Sequence, residues 1–104
     1  MGLYNRLVVP RPTPCSNCGS ASDLVIQFQF GNIMMNNYAI GDEVKWDGNV
    51  RGSHNSGKTE ILGYPEPCSH CGFDGDDMYV VEFDGDEIRC FRLAAEEDLA
   101  LLDW

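Results

Sequence analysis

The chain has no long apolar run and few basic side chains, and each shortage argues against a class of protein. No apolar stretch approaches the ~20 residues of a membrane-spanning helix, so we expect no membrane partner. The first fifteen residues hold only a three-residue apolar run, which is too short for a secretory signal. Lys and Arg number 7 against 17 Asp and Glu, and the net charge of −10 repels phosphate backbones. We therefore expect a soluble, cytoplasmic protein that does not bind nucleic acid.

The negative charge is concentrated in the second part of the chain. Residues 1–65 carry five basic and five acidic side chains and are balanced. Residues 66–104 carry twelve acidic side chains and only two basic ones, Arg89 and Arg92. This acidic part serves either solubility alone or the docking of a basic protein partner, and the sequence leaves both interpretations open.

Length and composition predict a single globular domain spanning residues 1–104. Apolar residues make up 43% of the chain, which is typical of a globular protein rather than a disordered one. Residues 1–14 contain three prolines and are predicted to be an extended lead-in.

Alternating apolar residues predict strands along most of the chain. Leu24, Ile26, Phe28 and Phe30 share one face of a half-buried strand that Gly31 and Asn32 should end. Residues 47–58 are rich in Gly, Asn and Ser and predict a loop. Shorter strands are predicted at 38–40, 43–46 and 59–64.

The C-terminal part predicts a hairpin followed by a helix. Residues 77–83 and 87–93 flank Asp84-Gly85-Asp86, a strong turn signal. The tail from residue 94 has Ala95, Leu99 and Leu102 at helical spacing. The sequence therefore predicts a mostly β fold, a small antiparallel sheet domain with a short C-terminal helix.

Two short stretches repeat one pattern and indicate a metal site. PCSNCG at 14–19 and PCSHCG at 67–72 each place two cysteines three residues apart, followed by glycine. Such a turn, here called a knuckle, can bring two sulfurs to about 2.3 Å from one ion, while the glycine lets N–H groups face the sulfurs. Two knuckles supply four thiolates, which complete a tetrahedral zinc site. The predicted ligands are Cys15, Cys18, Cys68 and Cys71.

The competing interpretation of the knuckles is a redox dithiol or a set of surface thiols. A redox Cys-x-x-Cys usually occurs once, at a helix start in a βαβ unit, and no such unit is predicted here. The chain also has no predicted export signal, which favours metal over disulfides. The metal interpretation is the better one.

The paired Cys-x-x-Cys-Gly knuckles, with the strands beside them, resemble the zinc-ribbon group. The resemblance covers 15–19 and 68–72 and implies that each knuckle is held on a β-hairpin. Forty-nine residues separate Cys18 from Cys68, more than in compact zinc ribbons, so the gap is expected to hold three or four strands. The metal would then close a larger β domain as a structural staple.

The knuckles are also similar to those of rubredoxins, small acidic proteins that hold iron in two Cys-x-x-Cys-Gly turns. That resemblance implies an electron carrier with iron in the same site. Rubredoxins carry aromatic residues soon after the first knuckle, whereas this chain continues with residues 20–23, SASD. Four thiolates alone do not distinguish zinc from iron.

A third motif, GSHNSGKT at 52–59, fits the phosphate-binding loop pattern letter for letter. Such a loop needs a buried strand before it and a helix after it. Residues 47–51 do not form a buried-strand pattern, and the residues after Lys58 favour β structure and soon reach Pro65. We expect no nucleotide site here, although small-ligand binding by the 47–58 loop remains the weakest alternative.

The remaining candidate residues favour structural roles. His70, between two predicted ligands, is expected to point outward, and Cys90 is expected to be a core or strand residue. The segments 73–77 and 83–87 resemble calcium ligands but fit turns better. A site filled by four cysteines leaves no position for substrate, so the sequence predicts a non-enzymatic module with a protein partner.

Overall fold

Alternating apolar residues form the strands at the centre of the fold. A computed structural model describes residues 4–10, 14–15, 17–20, 23–33, 36–46, 50–51, 57–68, 70–72 and 78–101. The secondary-structure elements in these ranges are β1 (Asn5–Val9), β2 (Leu24–Phe28), β3 (Gly31–Asn32), β4 (Asn37–Tyr38), β5 (Val50–Arg51), β6 (Lys58–Pro65), β7 (Tyr79–Asp84), β8 (Glu87–Leu93) and α1 (Glu96–Leu101).

Six of these strands form one mixed sheet in the order β4-β1-β2-β6-β7-β8. The pairing of β1 with β4 is parallel, and the other pairings in this sheet are antiparallel. The short strands β3 and β5 form a separate two-stranded sheet. The predicted mostly β fold with a short C-terminal helix is confirmed.

One face of the sheet carries the core. Burial alternates along β1 and β2, because successive side chains of a strand point to opposite faces. Phe83 of β7 lies against the rings of Phe28 and Phe30, at centroid distances of 5.7 and 4.3 Å. The buried cluster consists of Leu7, Val9, Leu24, Ile26, Phe28, Phe30, Tyr38, Val44, Val81, Phe83 and Ile88. The predicted shared face of residues 24–30 is thus the core face.

The predicted hairpin is formed by β7 and β8. Asp84 pairs with Glu87, so Gly85 and Asp86 make a two-residue turn. Gly85 has φ +63°, a left-handed conformation that glycine adopts without steric cost. The turn sets the register only next to it, because Phe83 pairs with Ile88 whereas Glu82 pairs with Cys90, so the register shifts by one residue at a bulge.

The helix α1 is fastened to the sheet at its first turn. Asp98 accepts the Ala95 N–H at 2.7 Å, while its own N–H donates to the Ala95 carbonyl at 3.0 Å. Arg92 of β8 binds both carboxylate oxygens of Asp98, at 2.7 and 3.1 Å, and Glu60 of β6 at 3.2 Å.

Among the described residues, no helix is long and apolar enough to cross a membrane.

The N-terminal lead-in contributes more than the sequence predicted. Asn5–Val9 form β1, which lies between β2 and β4 inside the sheet. The prolines begin only at Pro10, so every backbone N–H of β1 is free to join the ladders. Gly31 and Asn32, expected to end the strand before them, form β3.

The predicted strand at 43–46 is wrong. Glu43 makes a single bridge to Glu87, and the N–H of Val44 donates to the Asp86 carbonyl at 2.9 Å. The indole N–H of Trp46 donates to the Asp86 carboxylate at 2.8 Å. The segment is therefore held by the turn of the β7–β8 hairpin, and its alternation reflects the burial of Val44 against the core.

Candidate metal centre

The order of the strands brings the two knuckles to one end of the sheet. The first knuckle lies in the connection between β1 and β2, and the second lies in the connection between β6 and β7. β2 and β6 are antiparallel neighbours, with Ile26 opposite Pro65. The start of β2 therefore lies beside the end of β6, and the cysteines near these two ends converge although 49 residues separate Cys18 from Cys68.

The four predicted cysteines form one cluster. Their Sγ atoms all lie within 4.8 Å of one another. Cys15 and Cys71 are 3.8 Å apart at sulfur, and so are Cys18 and Cys68. A tetrahedral ion with sulfurs about 2.3 Å away sets neighbouring sulfurs about 3.8 Å apart. All four are free thiols, and the cluster is therefore compatible with a metal site.

The repeated sequence pattern produces the same turn twice. The Gly19 N–H donates to the Cys15 carbonyl at 2.8 Å, and the Gly72 N–H donates to the Cys68 carbonyl at 2.8 Å. The two glycines have φ values of +73° and +77°. A Cβ at either position would meet nothing within 4 Å, so glycine is needed for its backbone conformation and not for space.

Backbone N–H groups stabilise negative charge on the sulfurs, as the pattern predicted. Hydrogen bonds from the backbone of Cys71 and His70 lower the pKa of Cys68 to about 6. The backbone of Ser20 also favours the thiolate of Cys18, but desolvation and hydrogen bonds to the other three cysteines raise the pKa of Cys18 to about 12. Full ionisation of the cluster thus needs a compensating positive charge, which a bound cation supplies.

The two cysteines of each knuckle differ in exposure. Cys15 and Cys68 are buried, each about 5% exposed, whereas Cys18 and Cys71 are exposed. The side-chain amide of Asn17 donates to the Cys71 sulfur at 3.3 Å, across from one knuckle to the other. Sequence reasoning missed Asn17, because the motif treats the residue between two ligands as variable.

His70 occupies the position in the second knuckle that corresponds to Asn17 in the first. It is exposed, in agreement with the expectation that it points outward. Its side chain makes no hydrogen bond to any residue that the structure describes. The two knuckles are therefore alike in backbone, but of these two residues only Asn17 donates a side-chain hydrogen bond to a sulfur.

Cys90 lies apart from the cluster. It is on β8, as one expectation had it, but it is exposed and not in the core. Its thiol donates to the Glu82 carboxylate at 3.0 Å, and this bond raises the pKa of Cys90. The fifth cysteine is thus a surface residue of the sheet.

The loop predicted at 47–58 is wrong at three of its described residues, because Val50 and Arg51 form β5 and Lys58 begins β6. Lys58 and Thr59 begin β6, so a strand follows the phosphate-loop pattern where a helix would be required. Residues 52–56 of that pattern lie outside the described residues, as do residues 73–77. The segment 83–87 is the hairpin turn of β7 and β8.

The fold and the site together define a mostly β protein with a four-cysteine cluster, compatible with a metal site, where two hairpin connections meet. Comparison with family models, with curated proteins and with solved structures gives no match. The function of the chain is therefore inferred from its own chemistry and geometry.

Proposed function

We propose that this protein binds one structural zinc ion through Cys15, Cys18, Cys68 and Cys71 and acts as a non-enzymatic protein-interaction module. The observation that carries the proposal is the 3.8 Å spacing between sulfurs of different knuckles. Thiolate sulfur is a preferred zinc ligand, and four such ligands complete the tetrahedral coordination of zinc.

A structural role for the ion is supported by what the ligands connect. The first knuckle belongs to the β1–β2 hairpin and the second to the β6–β7 hairpin. An ion held by both would fasten the two hairpins where β2 meets β6. Four protein ligands also leave zinc no open position for water or substrate, which argues against a catalytic metal.

A protein partner is supported by the charge of the chain. The net charge of −10 becomes about two units more negative when four thiolates bind one divalent ion. Such a surface repels nucleic acid and attracts basic groups. We therefore propose that the partner is a protein with a basic surface.

The second candidate function is electron transfer by an iron ion in the same site. The exposure of Cys18 and Cys71 favours it, because these two sulfurs would place the metal near the protein surface. Four thiolates accept iron as well as zinc, so metal identity decides between the two functions.

Elemental analysis of the purified protein, together with a visible spectrum of the same sample, tests both candidates. One zinc per chain without colour supports the structural module. One iron per chain, with a red colour that a reductant bleaches, supports the electron carrier. If the reduced protein binds neither zinc nor iron when each metal is supplied, both candidate functions are contradicted.

A further inference from the structure

The outer face of β1 and β2 contains a cleft beside the second knuckle. Its volume is about 460 Å³, within the range of about 300–1,000 Å³ of protein ligand sites. Arg6 and Val8 of β1 and Val25 of β2 line it from the face opposite the core, and all three are half-buried. Asn37 of β4 borders it as well.

Among the described residues that line the cleft, two acidic side chains, Asp23 and Glu66, stand against one basic side chain, Arg6. Arg6 is bound by both oxygens of Glu66, at 2.7 and 2.9 Å, so its positive charge is already neutralised. Asp23 also lines the cleft, is exposed and makes no ion pair with any residue that the structure describes. Among the residues that the structure describes, the carboxylate of Asp23 therefore has no positively charged partner at the side of the cleft.

The apolar part of the cleft lies next to that charge. Val8 and Val25 are directly opposite each other in the β1–β2 ladder, so their side chains form one continuous patch. A ligand that fits must cover this patch and also bring a positive charge to Asp23. Long basic side chains meet both needs, because the stem of Lys or Arg packs on apolar surface while its head remains at the polar rim.

The surroundings of the cleft favour a protein as the source of that side chain. Tyr64 of β6 is 43% exposed and lies opposite Gln27 of β2 on the neighbouring strand. Tyrosine is enriched at protein interfaces, where it offers large contact area at low entropic cost. The net charge of −10 adds long-range attraction for a basic partner and opposes an anionic one.

We propose that this cleft receives a Lys or Arg side chain of a basic protein partner, with Asp23 as its counter-charge. This proposal rests on the proposed interaction function, and it specifies where on the protein the partner binds and which side chain of the partner is recognised. It does not depend on the identity of the metal, because none of the cysteines lines the cleft.

The test uses the full-length, metal-loaded protein, labelled with ¹⁵N, and the acetylated and amidated tripeptide Ala-Arg-Ala as the probe. We expect saturable amide shifts at Val8, Val25 and Asn37, and none of them with Ala-Gln-Ala. The variant Asp23→Asn should weaken binding about three- to fivefold, the worth of one exposed ion pair. The matched control is Asp84→Asn, which has the same net charge as Asp23→Asn but removes an exposed carboxylate outside the cleft. It should bind the peptide as tightly as the parent protein does.

Three results would overturn the proposal. The first is the lack of saturable shifts at the cleft, and the second is an equal loss of binding in both variants. The third is propylguanidine, a monocation with the same guanidinium and a short apolar stem but no peptide groups, binding as tightly as the peptide, which would assign the cleft to small cations. Metal content, measured on the same samples, shows separately whether the metal site itself is intact.

Discussion

At the scale of single residues, each knuckle contains one buried and one exposed cysteine. Cys15 and Cys68 face the interior, while Cys18 and Cys71 face solvent. A buried ligand cannot be replaced by water without opening the structure around it. Loss of a buried cysteine should therefore affect metal binding and folding together.

The variant Cys68→Ser should lose the metal and most of its stability. Structural zinc contributes on the order of 10 kcal/mol, and domains of this size are stable by only about 5–15 kcal/mol. Elemental analysis and thermal unfolding measure the two effects. The control is Cys90→Ser, in which the serine hydroxyl can still donate to Glu82. A Cys68→Ser protein that is folded and metal-free, with the melting temperature of the parent, would contradict the staple.

The variant Asn17→Ala should keep the fold but weaken metal binding about tenfold, as the loss of a hydrogen bond to a ligand commonly does. The amide of Asn17 donates to the Cys71 sulfur and stabilises its negative charge. Competition with a coloured chelator measures the affinity. His70→Ala changes the corresponding position of the second knuckle and should have little effect. If both variants lose the same metal affinity, Asn17 contributes through the shape of the turn and not through its hydrogen bond to Cys71.

The sequence predicted the four cysteines but not the side chains that support them. The Cys-x-x-Cys-Gly pattern is local, and its chemistry follows from spacing within six residues. The hydrogen bond from Asn17 to Cys71 and the ion pair between Arg6 and Glu66 join residues far apart in the chain. Such contacts depend on which strands become neighbours, and single-sequence patterns do not contain that information.

At the scale of secondary structure, β1, β3 and β5 were not predicted, whereas most of the other strands follow patterns within the sequence. β2, β6, β7, β8 and the start of α1 follow alternation, turn chemistry and helix capping that can be read locally. The gap between the knuckles holds five strands in the described residues, more than the three or four expected, because β3, β4 and β5 have two residues each. Strands this short exist only through their partners.

The attachment of α1 predicts an altered titration of Asp98. Its hydrogen bonds with Arg92 and with the Ala95 N–H lower the pKa of Asp98 from 3.8 to about 2. A lowered pKa stabilises the fold above pH 3.8, and this contribution disappears as the pH falls towards 2. Arg92→Met should therefore raise the pKa of Asp98 towards its ordinary value and shift the acid-unfolding transition to higher pH.

Carboxyl NMR, from neutral pH down to the onset of acid unfolding, measures this effect. The Asp98 signal should remain constant in the parent and begin to move in Arg92→Met. Arg89→Met is the matched control, because Arg89 pairs with Glu87 and not with Asp98. An Asp98 signal that behaves alike in the parent and in Arg92→Met would show that the helix is not held by this ion pair.

At the scale of the whole molecule, the sheet consists of two three-stranded halves. β4, β1 and β2 form the first half, and β6, β7 and β8 form the second. Among the described residues, two pairs join β2 to β6, whereas six pairs join β6 to β7. The aromatic contacts of Phe83 with Phe28 and Phe30 cross this junction on the core side.

Two further contacts cross this junction near the end of β6, namely the cysteine cluster and the ion pair between Arg6 and Glu66. Arg6 of the first half binds Glu66, which directly follows β6, and the Glu66 N–H donates to the Val25 carbonyl at 2.8 Å. A metal ion in the cluster would add bonds much stronger than either contact. The junction between the halves thus has few backbone pairs, and its stability depends on side-chain contacts and on the proposed metal.

Removal of the metal should therefore unfold both halves in one transition. Neither half retains a complete core without the other, because Phe83 fills the space beside Phe28 and Phe30. Titration of the reduced, ¹⁵N-labelled protein with a zinc chelator should make the amide signals of Val8 in β1 and Val81 in β7 disappear together. Chelator saturated with zinc beforehand is the control and should leave both signals unchanged. If the Val8 signal is lost while that of Val81 persists, the halves are independent, and the metal would then stabilise the N-terminal hairpin and not the junction.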